Sequence, residues 1–119
     1  MKILVVDDSS TMRRIIINTL KTMGQETIVE AGDGVEGLSQ LANNPDVELI
    51  LSDWNMPNMN GLDFLVKVRE KNKTLPIVMV TTEAEKQNVI TAIKAGANNY
   101  VVKPFTPEIL KEKVGAFLK

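Results

Sequence analysis

Two hydrophobic periods alternate along the chain. The runs KILVV (2–6), TIVEA (27–31), VELILS (47–52), PIVMVT (76–81) and NYVVK (99–103) are short and rich in apolar or β-branched residues. Three of them are continuously apolar at their centres, the pattern of parallel strands covered on both faces. The segments between them carry helical spacing with start and stop signals. Ser9 or Ser10 can cap a helix that stops at Gly24. Asp33 with Glu36, and Thr82 with Glu85, have capping-box spacing. Gly96 falls where a helix C-terminus needs glycine, and Thr106–Pro107 sets a cap and a first-turn proline ahead of a last helix over 107–118. Five strand–helix units in alternation imply right-handed crossovers. The pattern therefore predicts an α/β fold, a doubly wound five-stranded parallel sheet with five helices on its two faces.

Composition narrows this picture without altering it. The chain has 119 residues, 44% of them hydrophobic, which suits one domain over 1–119 with a substantial core. Its formal net charge of -1 provides no basic field for nucleic acid or an anionic membrane. Cysteine and histidine are both missing. That removes disulfides, thiolate or imidazole metal sites, and Cys–His or Ser–His nucleophile pairs. The apolar run before Asp7 is too short for a membrane span or a signal sequence and ends in acid, so the expectation is a cytoplasmic protein without membrane insertion.

In such a sheet, ligands bind beyond the carboxyl ends of the strands, near the switch in strand order. The first strand ends in Asp7 and Asp8, the third in Asp53, the fourth in Thr81 and Thr82, and the fifth in Lys103 followed by Pro104. Three converging carboxylates resist joint ionisation unless cations offset them. Lys103 and one divalent ion would balance all three charges. An all-oxygen ligand set favours Mg2+ over zinc or copper. A hard cation beside an amine and a hydroxyl suits phosphoryl transfer, with a carboxylate as nucleophile. Asp53 is the choice for that role, because WNMPNMNG after it is a turn-rich, accessible loop. No glycine-rich nucleotide cradle is present. A lysine pointing back into the site while the chain turns sharply also predicts a cis Lys103–Pro104 bond, which costs about 0.5–1 kcal/mol before proline.

The stretches VVDDSSTMRR, SDWNMPNMNGLDFL, VMVTTEAE and NNYVVKPFTPE resemble the receiver domain of bacterial two-component response regulators, most closely the stand-alone chemotaxis regulators. The resemblance spans essentially the whole chain in one register. It implies a flavodoxin-like sheet of order 2-1-3-4-5 and a phosphorylation-activated switch that is not itself an enzyme. In that reading Asp53 accepts a phosphoryl group from a chemotaxis histidine kinase, with Mg2+ held by Asp7, Asp8, Asp53 and the Asn55 carbonyl. Thr81 and Lys103 contact the phosphate, Asn55 and Glu83 tune its hydrolysis, and Tyr100 is the switch aromatic, swinging from partly exposed to buried. Lys86, Val89, Tyr100 and Lys113 form the face offered to a flagellar motor switch protein. The resemblance further implies a monomer, with a phosphatase as a further partner. Thr82 departs from the family, many members of which carry alanine there.

Other readings use the same fold. A stand-alone phosphorelay receiver with a non-motor partner remains the alternative within signalling. An FMN-binding electron carrier would need hydroxyl- and glycine-rich loops where this chain has DDSS, and an aspartate-nucleophile phosphohydrolase would need a capping element for which the chain has no room.

Overall fold

The computed structural model describes residues 1–118. The chain runs β1 (Lys2–Val6), α1 (Ser10–Thr22), β2 (Thr27–Ala31), α2 (Gly34–Asn43), β3 (Val47–Ser52), α3 (Gly61–Lys71), β4 (Ile77–Thr81), α4 (Lys86–Ala95), β5 (Asn99–Val102) and α5 (Pro107–Gly115). All strand pairs are parallel, and the order is β2-β1-β3-β4-β5. Winding therefore reverses between β1 and β3, which brings the end of the first strand beside the end of the third.

Successive residues of a strand point to opposite faces, and β1 shows the consequence. Leu4 and Val6 join a core with Ile50, Phe64, Leu65, Ile77 and Met79, while Ile3 and Val5 join another with Ile16, Leu20, Leu49, Leu51 and Leu110. Residues of α3 and α4 pack in the first core and residues of α1 and α5 in the second. Each fully buried side chain of this size, such as Phe64 or Leu20, contributes roughly 1.5–3 kcal/mol. Every residue of β4 is buried, whereas the edge strand β2 is largely open. The methionines behave as apolar filler: Met79 lies in the first core with Met56 and Met59 packed against it, and Met12 and Met23 pack against the second.

Local signals explain most boundaries. Ser9 caps α1 by accepting from Met12 N at 3.1 Å, Asp33 caps α2, and Thr106 caps α5 with Pro107 in the first turn. Gly24 and Gly96 have positive φ just beyond α1 and α4. The Lys103–Pro104 bond is cis. Apart from one-residue shifts at the start of β4 and the end of β5, two boundaries differ from the sequence pattern. The last helix ends at Gly115 rather than at 118. The Thr82–Glu85 capping box does not form: α4 starts at Lys86, and Glu85 makes no side-chain cap bond. Residues 82–85 instead serve the sheet end, where Glu83 N donates to Thr81 Oγ1 at 3.3 Å and the Glu83 carbonyl accepts from Tyr100.

Candidate functional site

An acidic pocket lies over the switch in strand order. Backbone pairing continues past the strands, with Asp7 N donating to Ala31 O at 3.0 Å and Asp53 N to Val6 O at 2.9 Å. Those bonds hold both aspartates rigidly at the rim. Carboxylate oxygens of Asp7, Asp8 and Asp53 all lie within 4.8 Å of one another. Lys103 joins them from the end of β5: its Nζ lies 2.7 Å from Asp7 Oδ2 and 3.0 Å from Asp53 Oδ2. Ser9 N donates to Asp7 Oδ1 at 2.9 Å, and Trp54 N to Asp53 Oδ1 at 2.6 Å. Asp8 is exposed and makes no ion pair among the described residues.

The electrostatics of this pocket are unbalanced. With three carboxylates and one ammonium ionised, a formal charge of -2 remains, and each like pair at 4–5 Å costs roughly 3–4 kcal/mol at an effective dielectric near 20. Burial pushes the Asp7 carboxyl up, and the Asp53 charge adds to that; hydrogen bonds from Lys103 and from Ser9 oppose it. Burial alone would lower the Lys103 ammonium, but its hydrogen bonds to Asp7 and Asp53 outweigh this and raise it, so the lysine stays charged. A divalent cation on the exposed side of the pocket would cancel the remaining surplus. The donor set is oxygen only, which fits Mg2+.

The remaining expected residues fall into three groups. Thr81 is fully buried at the end of β4, and exposed Thr82 follows it. Asn55 lies exposed in the loop after Asp53, and Glu83 is partly exposed beyond Thr81. Lys86 opens α4, Val89 packs against the core cluster that contains Tyr100, and the Lys113 carbonyl accepts from Asn99 Nδ2 at 3.0 Å, tying α5 to β5. The four residues of the expected partner face thus sit on α4, β5 and α5.

Tyr100 stands in the buried of the two positions expected for it. The residue is 7% exposed and its hydroxyl donates to the Glu83 carbonyl. A buried phenol with a backbone acceptor explains the inward position. Its pKa is pushed up to about 12, by burial first and then by the charges of Glu83 and Asp53. Tyr100 is the sole tyrosine of the sequence, so phenolate absorbance reports it alone. The expected midpoint is about 12 in the folded protein against about 10 in denaturant. Because the folded value is the higher, this stabilisation is complete below about pH 10 and is lost as pH rises toward about 12. A native midpoint near 10 would mean that the ring is outward in solution.

Sequence reasoning missed several supports. Ser52 Oγ donates to the Asp53 carbonyl at 2.9 Å, and the Arg13 guanidinium reaches the Asp7 carbonyl while pairing with Glu30 at 2.9 Å. Gly61 is buried against the Asp53 backbone. Only Gly61 left a signal, a glycine directly after the capping Asn60 at a position where alanine would favour the helix.

This fold and pocket define a response regulator receiver: the model of the response regulator receiver domain matches residues 3–115, and the chain belongs to that family. Within it the chain is similar to chemotaxis members. Chemotaxis protein CheY1 of Helicobacter pylori is 59% identical over 120 residues, covering 99% of this chain and 97% of that protein. The chemotaxis protein CheY homolog of Campylobacter jejuni is 60% identical over 116 residues, covering 96% and 89%. Among solved structures, chemotaxis protein CheY4 of Vibrio cholerae matches with a TM-score of 0.89 at 36% identity, covering 98% of both chains. A CheX–CheY–BeF3–Mg2+ complex from Borrelia burgdorferi matches with a TM-score of 0.92 at 26% identity, covering 100% of this chain and 90% of that one. Among the described residues, no helix is long and apolar enough to cross a membrane.

Proposed function

We propose that this chain is a monomeric cytoplasmic chemotaxis switch that accepts a phosphoryl group on Asp53 from a histidine kinase and then binds the flagellar motor switch. The observation that carries this is the cluster of Asp7, Asp8 and Asp53 with Lys103 bridging two of them. Asp7 is 1% exposed, which leaves it the more shielded of the two from a phosphoryl donor. Asp53 is 8% exposed, and Trp54 N and Lys103 Nζ each donate to one of its carboxylate oxygens, which holds the side chain in place at the pocket.

The carboxylates of Asp7, Asp8 and Asp53 and the carbonyl of Asn55 would hold Mg2+. When bound, the ion neutralises charge on the phosphoryl oxygens. The Asp53 oxygen forms its bond to phosphorus as the bond to the donor imidazole nitrogen breaks, the electron pair leaving with that nitrogen. Lys103 then exchanges a carboxylate partner for a phosphate oxygen. Hydrolysis releases the group, with Asn55 and Glu83 flanking the attacking water and a phosphatase speeding the step. The chain assists these reactions on itself and turns over no substrate. The solved complex of a relative with CheX, BeF3 and Mg2+ supports this reading of the pocket.

The signal would travel through Thr81. Its hydroxyl accepts from Glu83 N, and the Glu83 carbonyl holds the Tyr100 hydroxyl, so a Thr81 drawn toward the phosphate moves the same short segment that positions Tyr100. Lys86, Val89 and Lys113 lie on the elements flanking that ring. Beryllofluoride should raise affinity for a motor switch peptide about 5- to 150-fold, the usual span of such coupling. Thr81→Ala should abolish most of that gain. No gain in the wild type would overturn the motor partner, and a full gain in Thr81→Ala would overturn the relay.

A further inference from the structure

The loop after Asp53 is anchored at two places, and only one belongs to the pocket. At its base, Gly61 N donates to Trp54 O at 2.8 Å. At its apex the loop leans on the start of α2. There Gly34 N donates to Met59 O at 3.1 Å, and Asn58 Nδ2 donates to Asp33 Oδ2 at 2.7 Å. A Cβ on Gly34 would fall 2.7 Å from Met59 Cγ and 2.8 Å from Met59 O, so this approach requires glycine. Asn58 has φ of 66°, the one positive value at a non-glycine residue among those described, and asparagine is among the few side chains that tolerate it. The other Asp33 oxygen accepts from Glu36 N at 2.8 Å. One carboxylate therefore ties together the helix start and the loop apex. The Glu36 amide and then the Asn58 amide hold its carboxyl below the usual range, so it stays an acceptor at neutral pH.

Asn55 lies between the two anchors, exposed and without a side-chain hydrogen bond among the described residues. Nothing on its own side chain orders it. We propose that Asp33 and Asn58 are positioning residues for the cation site: their hydrogen bond fixes the loop apex so that the Asn55 carbonyl is presented to Mg2+ with little ordering left to occur on binding. Preordering of this kind raises affinity by removing an entropy cost, and partners that orient metal ligands commonly influence affinity strongly.

This inference rests on the Mg2+ reading of the pocket, and the test separates the two. Trp54, the sole tryptophan, follows Asp53 directly, and its backbone N–H donates to the Asp53 carboxylate; the indole is thus carried beside the pocket, and its fluorescence can follow a Mg2+ titration. Asp33→Ser keeps an N-cap but is too short to reach Asn58, and Asn58→Gly keeps the positive φ but loses the amide. Each should weaken Mg2+ affinity about three- to tenfold, on the low side of such effects because the bond is exposed. The swapped pair Asp33→Asn with Asn58→Asp rebuilds the bond with donor and acceptor exchanged, and should return affinity to within about twofold of wild type. Unchanged affinity in both single variants, or a swap that fails to restore it, would overturn the positioning role while wild-type binding keeps the Mg2+ reading intact. A wild type that does not respond to Mg2+ would overturn both.

Discussion

Asp53→Asn is expected to reduce phosphoryl labelling by small-molecule or kinase donors to background, a loss of at least about a thousandfold, since the substitution removes the proposed nucleophile. The fold should survive. Asparagine keeps an oxygen for the Trp54 N–H, and Lys103 keeps its 2.7 Å contact with Asp7. Removing one of three crowded carboxylates also lowers the pocket's surplus from -2 to -1, so thermal stability without Mg2+ should be equal or higher. That pairing of lost chemistry with retained stability separates a missing acceptor from a damaged protein. In the wild type, labelling should need Mg2+ and the product should be base-labile, as an acyl phosphate is. Residual labelling of the variant that withstands acid and hydroxylamine would move the acceptor to a serine or threonine.

Gly61→Ala is expected to be the most damaging single methyl group in the chain. The added Cβ would lie 1.8 Å from Asp53 O, 2.8 Å from Asp53 C and 2.9 Å from Trp54 Cα, all of them backbone atoms that cannot swing aside. Either the loop parts from the end of β3 or the start of α3 shifts, and the Gly61–Trp54 backbone bond is strained in both cases. A cost of about 3 kcal/mol or more is expected, which for a domain of this size lowers the thermal midpoint by roughly 10–15 °C. Gly115→Ala is the control, since nothing lies within 4 Å of its Cβ, and its midpoint should be unchanged or slightly raised. Equal midpoints for Gly61→Ala and wild type would mean that the loop yields to the added methyl group without cost. Because the clash falls on the carbonyl of Asp53, Mg2+ affinity should drop in the same variant.

The fold was largely readable before any coordinates, for reasons visible in particular segments. KILVV, TIVEA and VELILS match β1, β2 and β3 residue for residue, because a run of apolar, β-branched residues between turn formers leaves little choice of local conformation. Ser9, Asp33 and Thr106 cap their helices as their spacing suggested, since a cap bond spans only three residues. The Thr82–Glu85 pattern failed because two tertiary partners compete for the same backbone: Thr81 takes the Glu83 amide and Tyr100 takes the Glu83 carbonyl. A local signal of modest strength yields to a buried phenol that needs an acceptor.

The candidate site divides along the same line. Sequence alone determined which groups are available, namely the acids after β1 and β3, the hydroxyl after β4 and the lysine after β5, because each is read from the strand that precedes it. It also excluded imidazole and thiolate chemistry, since neither side chain is present. Tertiary structure decided what those groups do to one another. Lys103 lies 96 residues from Asp7 and 50 from Asp53 in sequence, yet bridges both. The inward Tyr100, the glycine packed on the Asp53 carbonyl and the Asp33–Asn58 bond are likewise contacts between segments remote along the chain. Periodicity and capping act within a few residues and are encoded locally, whereas distances across a pocket depend on the strand order and on how the helices pack, which the whole core settles at once.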